Sequence, residues 1–312
     1  MYQLHSPKGW DVWVRIMAFS VEFLRKDATS VPEARNPTVR RRELGALLRA
    51  LRNEKGLTVE QVAERLLCSP SKVSRMETGH GVATLRDVRD LCELYGVTDE
   101  AERNRMTRLA REGKQQGWWQ GYDLPYSTYV GLEAEAVSIK VYDSAVVPGL
   151  LQTADYAWAL HEASLPKHDD SVIGQWVEAR ATRQRILTRP APPSMHVVLD
   201  EAVLHRVVGS SRVMRAQLAR VVDAMALPNV AIQVIPYASG AHPALDSVFT
   251  ILEFLRPAPD VIYVEGLVGY IYLEHSRDVQ RYKDVFDRLS TMALTPRKSA
   301  ELLRKTIMQH QD

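Results

Sequence analysis

The stretch from Thr58 to Gly79 constrains the fold most, because both ends of two helices are written into 22 residues. Thr58 with Gln61 three positions on is a capping box. It opens a helix whose inner face is Val59, Val62, Ala63 and Leu66. Ser69 followed by Pro70 is an N-cap and first-turn pair that starts the next helix, and Gly79 ends it. Only residues 66–69 separate the two, so the helices cross at close range and need a small residue there, Ala63. Val73, ten positions later, faces back into the core. With Val73 and Met76 inward, helical geometry turns Pro70, Ser71, Lys72, Ser74 and Arg75 outward. That surface is short, polar and basic, which suits a helix entering a DNA major groove. The competing reading is a helical pair that only packs.

Flanking helices complete a bundle. Leu44, Leu47, Leu48 and Leu51 recur at helical spacing from Thr38, with Gly56 as the stop. Thr84 caps a helix through Tyr95, with Gly96 behind it, and a further helix runs from Asp99 to Glu112 before Gly113. Residues 38–113 are therefore expected as an all-α bundle of five helices. Residues 1–37 read as an irregular arm with an apolar patch around Trp10, Trp13 and Ile16, and Met17 is an alternative start.

Residues 118–312 mix the two periods. Helices are expected over 130–142, 153–164, 170–187, 211–226, 276–293 and 295–308. Strands are expected over 196–199, 230–235, 247–253, 261–265 and 269–273, being rich in Val, Ile, Tyr and Phe between turn residues. The fold class is thus mixed: a five-helix helix-turn-helix bundle, then an α/β (α+β) domain with one sheet of about five strands.

A chain of 312 residues has room for about two domains. Its longest uncharged run, residues 224–245, is broken by Pro228, Pro236 and Pro243 and does not read as a membrane span. Lys8, Asp11, Arg15 and Glu22 leave no signal-peptide pattern, so a cytoplasmic protein is expected. Cys68 and Cys92 sit at core-facing helical positions and read as small hydrophobes. Neither a metal site nor a cofactor motif is apparent. The net charge of +2 hides a partition. Residues 38–113 carry 15 basic and 12 acidic residues, residues 114–312 carry 20 and 22. A basic module is joined to a slightly acidic one, and phosphate binding needs only the local excess.

From residue 41 to 95 the chain resembles the XRE (Cro/repressor-like) helix-turn-helix regulators, on its caps, Ala63, Val73 and the ending Arg75-Met76-Glu77-x-Gly79. The resemblance implies that Arg52 pairs with Glu77 to brace the domain. It points Ser71 and Arg75 at base edges, Arg75 as a bidentate partner of guanine, beside Ser69, Pro70 and Ser74. Lys72, Thr58 and the run Arg40, Arg41, Arg42 would hold phosphates. It further implies a double-stranded operator and a homodimer reading half-sites about one DNA turn apart. Two positions depart from the pattern: Val59 replaces a frequent Gln, and Leu67 replaces a frequent turn Gly.

Residues 118–308 resemble the C-terminal domain of actinobacterial XRE regulators described as antitoxin-like. The matching residues include Trp118-Trp119, Leu132-Glu133-Ala134-Glu135-Ala136, Val147-Pro148-Gly149-Leu150-Leu151-Gln152-Thr153 and Gly240-Ala241-His242-Pro243. This implies a regulatory domain that answers to a protein partner or small ligand, with a small acidic partner encoded nearby. An alternative is an antitoxin-like interaction protein that sequesters a toxin-like partner and binds DNA for autoregulation. Candidate partner or ligand residues are Trp118, Trp119, Tyr122, Arg183 and His242. The aromatic stretch reads either as a plug over the sheet or as a groove, and Arg183 either as a salt-bridge partner or as a clamp. His205, His242 and His275 with Glu201, Glu265 and Glu274 could serve acid–base chemistry only if they converged. Their spacing fits no metalloprotease helix, nucleophile elbow or phosphate loop, so no enzyme is expected.

Overall fold

Side chains at the helix starts accept the backbone N–H groups that would otherwise be orphaned. The computed structural model describes residues 37–310 apart from 116, 165, 166, 256, 257 and 268. The arm expected over residues 1–37 therefore lies outside the described residues, except that Pro37 begins the first helix. Helices α1 (Pro37–Glu54), α2 (Val59–Arg65), α3 (Pro70–Glu77), α4 (Leu85–Leu94) and α5 (Glu100–Glu112) follow in order. Thr58 and Thr84 both form reciprocal capping boxes, and Ser69 and Asp99 accept from Lys72 N and Ala101 N. Leu44, Leu48, Val62, Val73, Met76, Val88 and Leu91 fill the core of this bundle.

Beyond Gly117 comes a 3-10 turn, Trp118–Gly121, then α6 (Ser127–Glu135). Helix α6 is followed by β1 (Ser138–Asp143), α7 (Ala154–Glu162), α8 (Asp170–Gln184), β2 (Ser194–Asp200), α9 (Ala202–His205) and α10 (Ser211–Ala224). The chain continues through β3 (Val230–Ile235), β4 (Phe249–Glu253), β5 (Val261–Gly266), β6 (Gly269–Leu273), α11 (Ser276–Met292) and α12 (Pro296–Gln309). One sheet of six strands runs in the order β3-β2-β1-β4-β5-β6. The half β1, β2, β3 is parallel and β4, β5, β6 are antiparallel, which makes the sheet mixed.

Here one sequence expectation is corrected. Residues 130–142 do not form one helix: α6 stops at Glu135 and Ser138–Asp143 is a strand. The extended backbone of Ala136 starts the break. Ile139 and Val141 then alternate into the core, and pairing to both β2 and β4 makes β1 an interior strand. Local helix signals lose to two ladders of hydrogen bonds, and the sheet gains a sixth strand.

Both sheet faces are covered, as parallel strands require. On one face Ile139, Val197, Leu199, Ile232 and Val234 pack with α6, α10 and α12. On the other, Tyr142, Val198, Ile235, Ile251 and Ile262 meet Val279, Phe286 and Leu289 of α11. Val39 of α1 joins the first of these cores, while Leu44 and Leu48 of the same helix belong to the bundle. Bundle and sheet lie within one compact unit.

Candidate nucleic-acid interface

The turn between α2 and α3 is tight. Cys68 N donates to Ala63 O at 2.9 Å, and Leu67 adopts φ 52° to close it. Ala63 and Val73 are each 1% exposed where the helices cross, and Met76 is buried behind them. Leu67, by contrast, is 94% exposed. A left-handed backbone is about 1 kcal/mol unfavourable for such a residue, so the turn is held against local preference by the packing on either side.

Helix α3 is the exposed product of that geometry. Ser69 Oγ accepts from Lys72 N at 3.2 Å and lies 3.2 Å from Ser71 Oγ. Ser69, Pro70, Ser71, Ser74 and Arg75 are all exposed. Lys72 Nζ donates to Asp87 Oδ1 at 2.6 Å, tying α3 to the start of α4. Asp87 also accepts from Thr84 N at 2.9 Å and Thr84 Oγ1 at 2.8 Å. Burial pushes the Asp87 carboxyl up, but the Lys72 and Thr84 hydrogen bonds outweigh it and hold the group below its ordinary range.

Behind α3, Arg52 grips Glu77 with Nε at 2.6 Å and NH2 at 2.9 Å, and gives NH1 to Leu57 O at 2.8 Å. Hydrogen bonding to Glu77 raises the Arg52 pKa further. Tyr95 is buried beside the pair, and burial followed by the Glu77 charge pushes its phenol up to about 12. Helix α1 reaches α3 because position 45 is glycine. A Cβ there would meet the Met76 and Glu77 carbonyl oxygens at 2.6 Å.

Arg40, Arg41 and Arg42 do not join this face; the structure spends them on internal contacts. Arg40 NH1 donates to Glu43 at 2.7 Å, and its other nitrogens lie 3.4 Å from Glu112 and Glu135. Arg42 is buried and gives NH1 to Glu274 at 2.5 Å. Arg41 packs along Gly113. Burial lowers the pKa of Arg41, and also that of Arg42, where Glu274 offsets it in part. Arg40 and Arg42 are thus paired with carboxylates of the chain, whereas Arg41 is half-buried beside Gly113.

The aromatic stretch is built into the protein. Trp119 is buried with Leu124, Val130, Trp176 and Ala179, and Trp118 packs edge-on against both Trp119 and Tyr122. Arg183 makes a buried bidentate pair with Glu133, Nε and NH2 each at 2.8 Å, sandwiched by Tyr126 and Tyr129 at 5.3 and 5.4 Å. His242 is buried with Nε2 3.3 Å from Tyr142 Oη and 3.6 Å from Asp200. The other titratable candidates are scattered. His205 lies 3.5 Å from Glu201, Glu265 accepts from Tyr263 Oη, Glu274 binds Arg42, and His275 begins α11. Among the described residues no three His, Cys, Asp or Glu side chains are grouped to hold a metal ion.

Sequence reading missed Asp87 as the tether of Lys72, Glu274 as the partner of Arg42, and Gly45 altogether. The first two lie 15 and 232 residues from their partners, beyond any local pattern. Gly45 carried a usable signal, since a glycine inside a strong helix usually marks a close approach.

With this geometry in place, comparison with known families is decisive for the larger segment. Residues 126–305, more than half of the chain, match the family described as Domain of unknown function (DUF5753). The chain belongs to the DUF5753 family. Residues 43–106 match a family described as Helix-turn-helix domain. The DUF5753 match begins at Tyr126, one residue before α6, and ends within α12, so it takes in all six strands. The helix-turn-helix match supports a DNA-binding regulator. No curated protein and no solved structure matches the chain. No helix of the described residues is long and apolar enough to cross a membrane.

Proposed function

We propose that this chain is a sequence-specific transcriptional regulator acting in the cytoplasm, with residues 38–113 as an XRE-type reader of duplex DNA. Residues 118–312, in this reading, form the regulatory domain, which responds to a protein partner or small ligand and supports a homodimer on a two-fold operator. The observation that carries the reading is α3. Its Ser71, Ser74 and Arg75 are exposed on one side while Val73, Met76 and Glu77 are buried on the other. Arg75 is the one cation in the outward row left without an ion-pair partner among the described residues. An arginine so placed can donate two hydrogen bonds to guanine O6 and N7. Lys72, tethered to Asp87, and Thr58, at the N-terminus of α2, are the phosphate-holding candidates.

The test is selection of duplexes from a random pool by the full-length chain, followed by titration of the winner. Arg75→Ala is expected to weaken binding to the selected duplex by about 1–3 kcal/mol and to flatten preference at one base position. Melting temperature should stay unchanged. Equal affinity of wild type and Arg75→Ala would remove Arg75 from base readout, and failure to enrich any duplex would overturn the reading.

A further inference from the structure

We infer that Glu274 is a positioning residue for the recognition helix: through Arg42 it fixes where α3 ends relative to the sheet. This inference rests on the DNA-binding reading above, and it concerns a carboxylate well outside the helix-turn-helix segment. Three contacts make the link continuous.

The segment leaving α3 passes directly over Arg42. Gly79 has φ +72°, and a Cβ on it would lie 2.6 Å from Arg42 Cγ and 2.8 Å from Arg42 Cα and N. No other residue fits that approach, so the backbone after α3 is seated on the base of the Arg42 side chain. The far end of the same side chain is held by Glu274 Oε1 at 2.5 Å. Glu274 in turn stands between Leu273, the last residue of β6, and His275, the N-cap of α11, so its backbone is fixed on both sides.

Arg42 differs from Arg40 in having no second carboxylate among the described residues. Arg40 divides its nitrogens among Glu43, Glu112 and Glu135 and can lose one of them. Arg42 is 7% exposed and has Glu274 alone among the described residues. A buried guanidinium deprived of its carboxylate must move toward water or recruit it. Either response disturbs the floor under Gly79. A shift of β6 against α11 would therefore reach α3 by way of one side chain, without any contact between the sheet and DNA.

The experiment compares hydrogen exchange and DNA affinity in full-length wild type, Glu274→Gln, Glu274→Asp and Arg42→Lys. The reporters are the amides of Gly79 and Gly81, which bond to Met76 O and Arg75 O at the end of α3. In Glu274→Gln they are expected to exchange about tenfold faster, with the amide of Leu91 in α4 unchanged. Affinity for the selected duplex should fall by about tenfold, and Glu274→Asp, which keeps the charge, should lie between. Arg42→Lys should reproduce the exchange pattern of Glu274→Gln. Unchanged exchange at Gly79, or equal acceleration at Leu91, would overturn the link. Faster exchange with undiminished affinity would overturn the positioning role. If wild type enriches no duplex, the DNA-binding reading and the positioning role fall, while the exchange contrast still decides the mechanical link.

Discussion

Arg52 and Glu77 meet across 25 residues of sequence in a two-point hydrogen-bonded pair, and the carboxylate side chain is only 4% exposed. The pair joins the last turn of α1 to the last turn of α3. Because Arg52 also holds Leu57 O, one guanidinium fixes the loop ahead of α2 as well.

Arg52→Ala is expected to lower stability by about 3 kcal/mol, since Glu77 would keep its burial and lose its two-point partner, with only the half-exposed Arg49 left at 3.9 Å. Urea unfolding of Arg52→Ala and of the double variant Arg52→Met with Glu77→Leu measures this. Most of the loss should return in the double variant. A single-variant loss below about 1 kcal/mol would show that the pair behaves as an exposed one.

Gly45→Ala tests which of two effects wins. Alanine gains about 1 kcal/mol of helix propensity over glycine. Its Cβ would also sit 2.6 Å from two backbone oxygens of α3, which cannot rotate away. Overpacking of that kind costs about 1–3 kcal/mol, so a net loss is expected, together with weaker DNA binding as α3 is pushed off α1. Thermal melts and duplex titration read the two consequences separately.

Leu67→Gly should act in the opposite direction. Leu67 holds φ 52° and is almost wholly exposed, so the substitution relieves backbone strain and removes little packing. A gain of up to about 1 kcal/mol is expected. A lower melting temperature would mean that the Leu67 side chain makes contacts in solution that offset its strain.

Asp143 gives a pH dependence with a definite sign. Burial pushes its carboxyl up to about 6, although Val146 N and Ala145 N donate to it. The unfolded chain titrates near 3.9. Between these values the native state binds the extra proton, so stability falls as pH rises from about 4 to 6 and then levels. Asp143→Asn keeps an oxygen acceptor and removes the titration. Its stability curve should be flatter than that of wild type over this window, and superimposable curves would contradict the assignment.

The helix ends of the bundle were legible because their causes are local. Thr58 with Gln61, Ser69 ahead of Pro70, and Thr84 at the head of α4 each satisfy N–H groups within three residues, so the sequence spells them out. Strand β1 was not legible for the converse reason. Ser138–Asp143 is decided by Ser194–Asp200 and Phe249–Glu253, and no Pro or Gly marks the break after Glu135. The same limit applies to Arg40 and Arg42. Their sign was evident, but Glu112, Glu135 and Glu274 are too distant in sequence to be foreseen as partners. Arg75 was legible because its exposure follows from the burial of Val73 and Met76 on the same short helix.

Helix α1 extends about 27 Å from end to end and has Val39 in one hydrophobic core and Leu48 in another. A helix shared in this way acts as a common beam. Melting either core frees one end of it and exposes apolar surface that the other core was built to cover, so heat should dissolve both in a single transition. It also makes residue 113 a poor place to cut: a fragment ending there would carry Val39 as an uncovered apolar end.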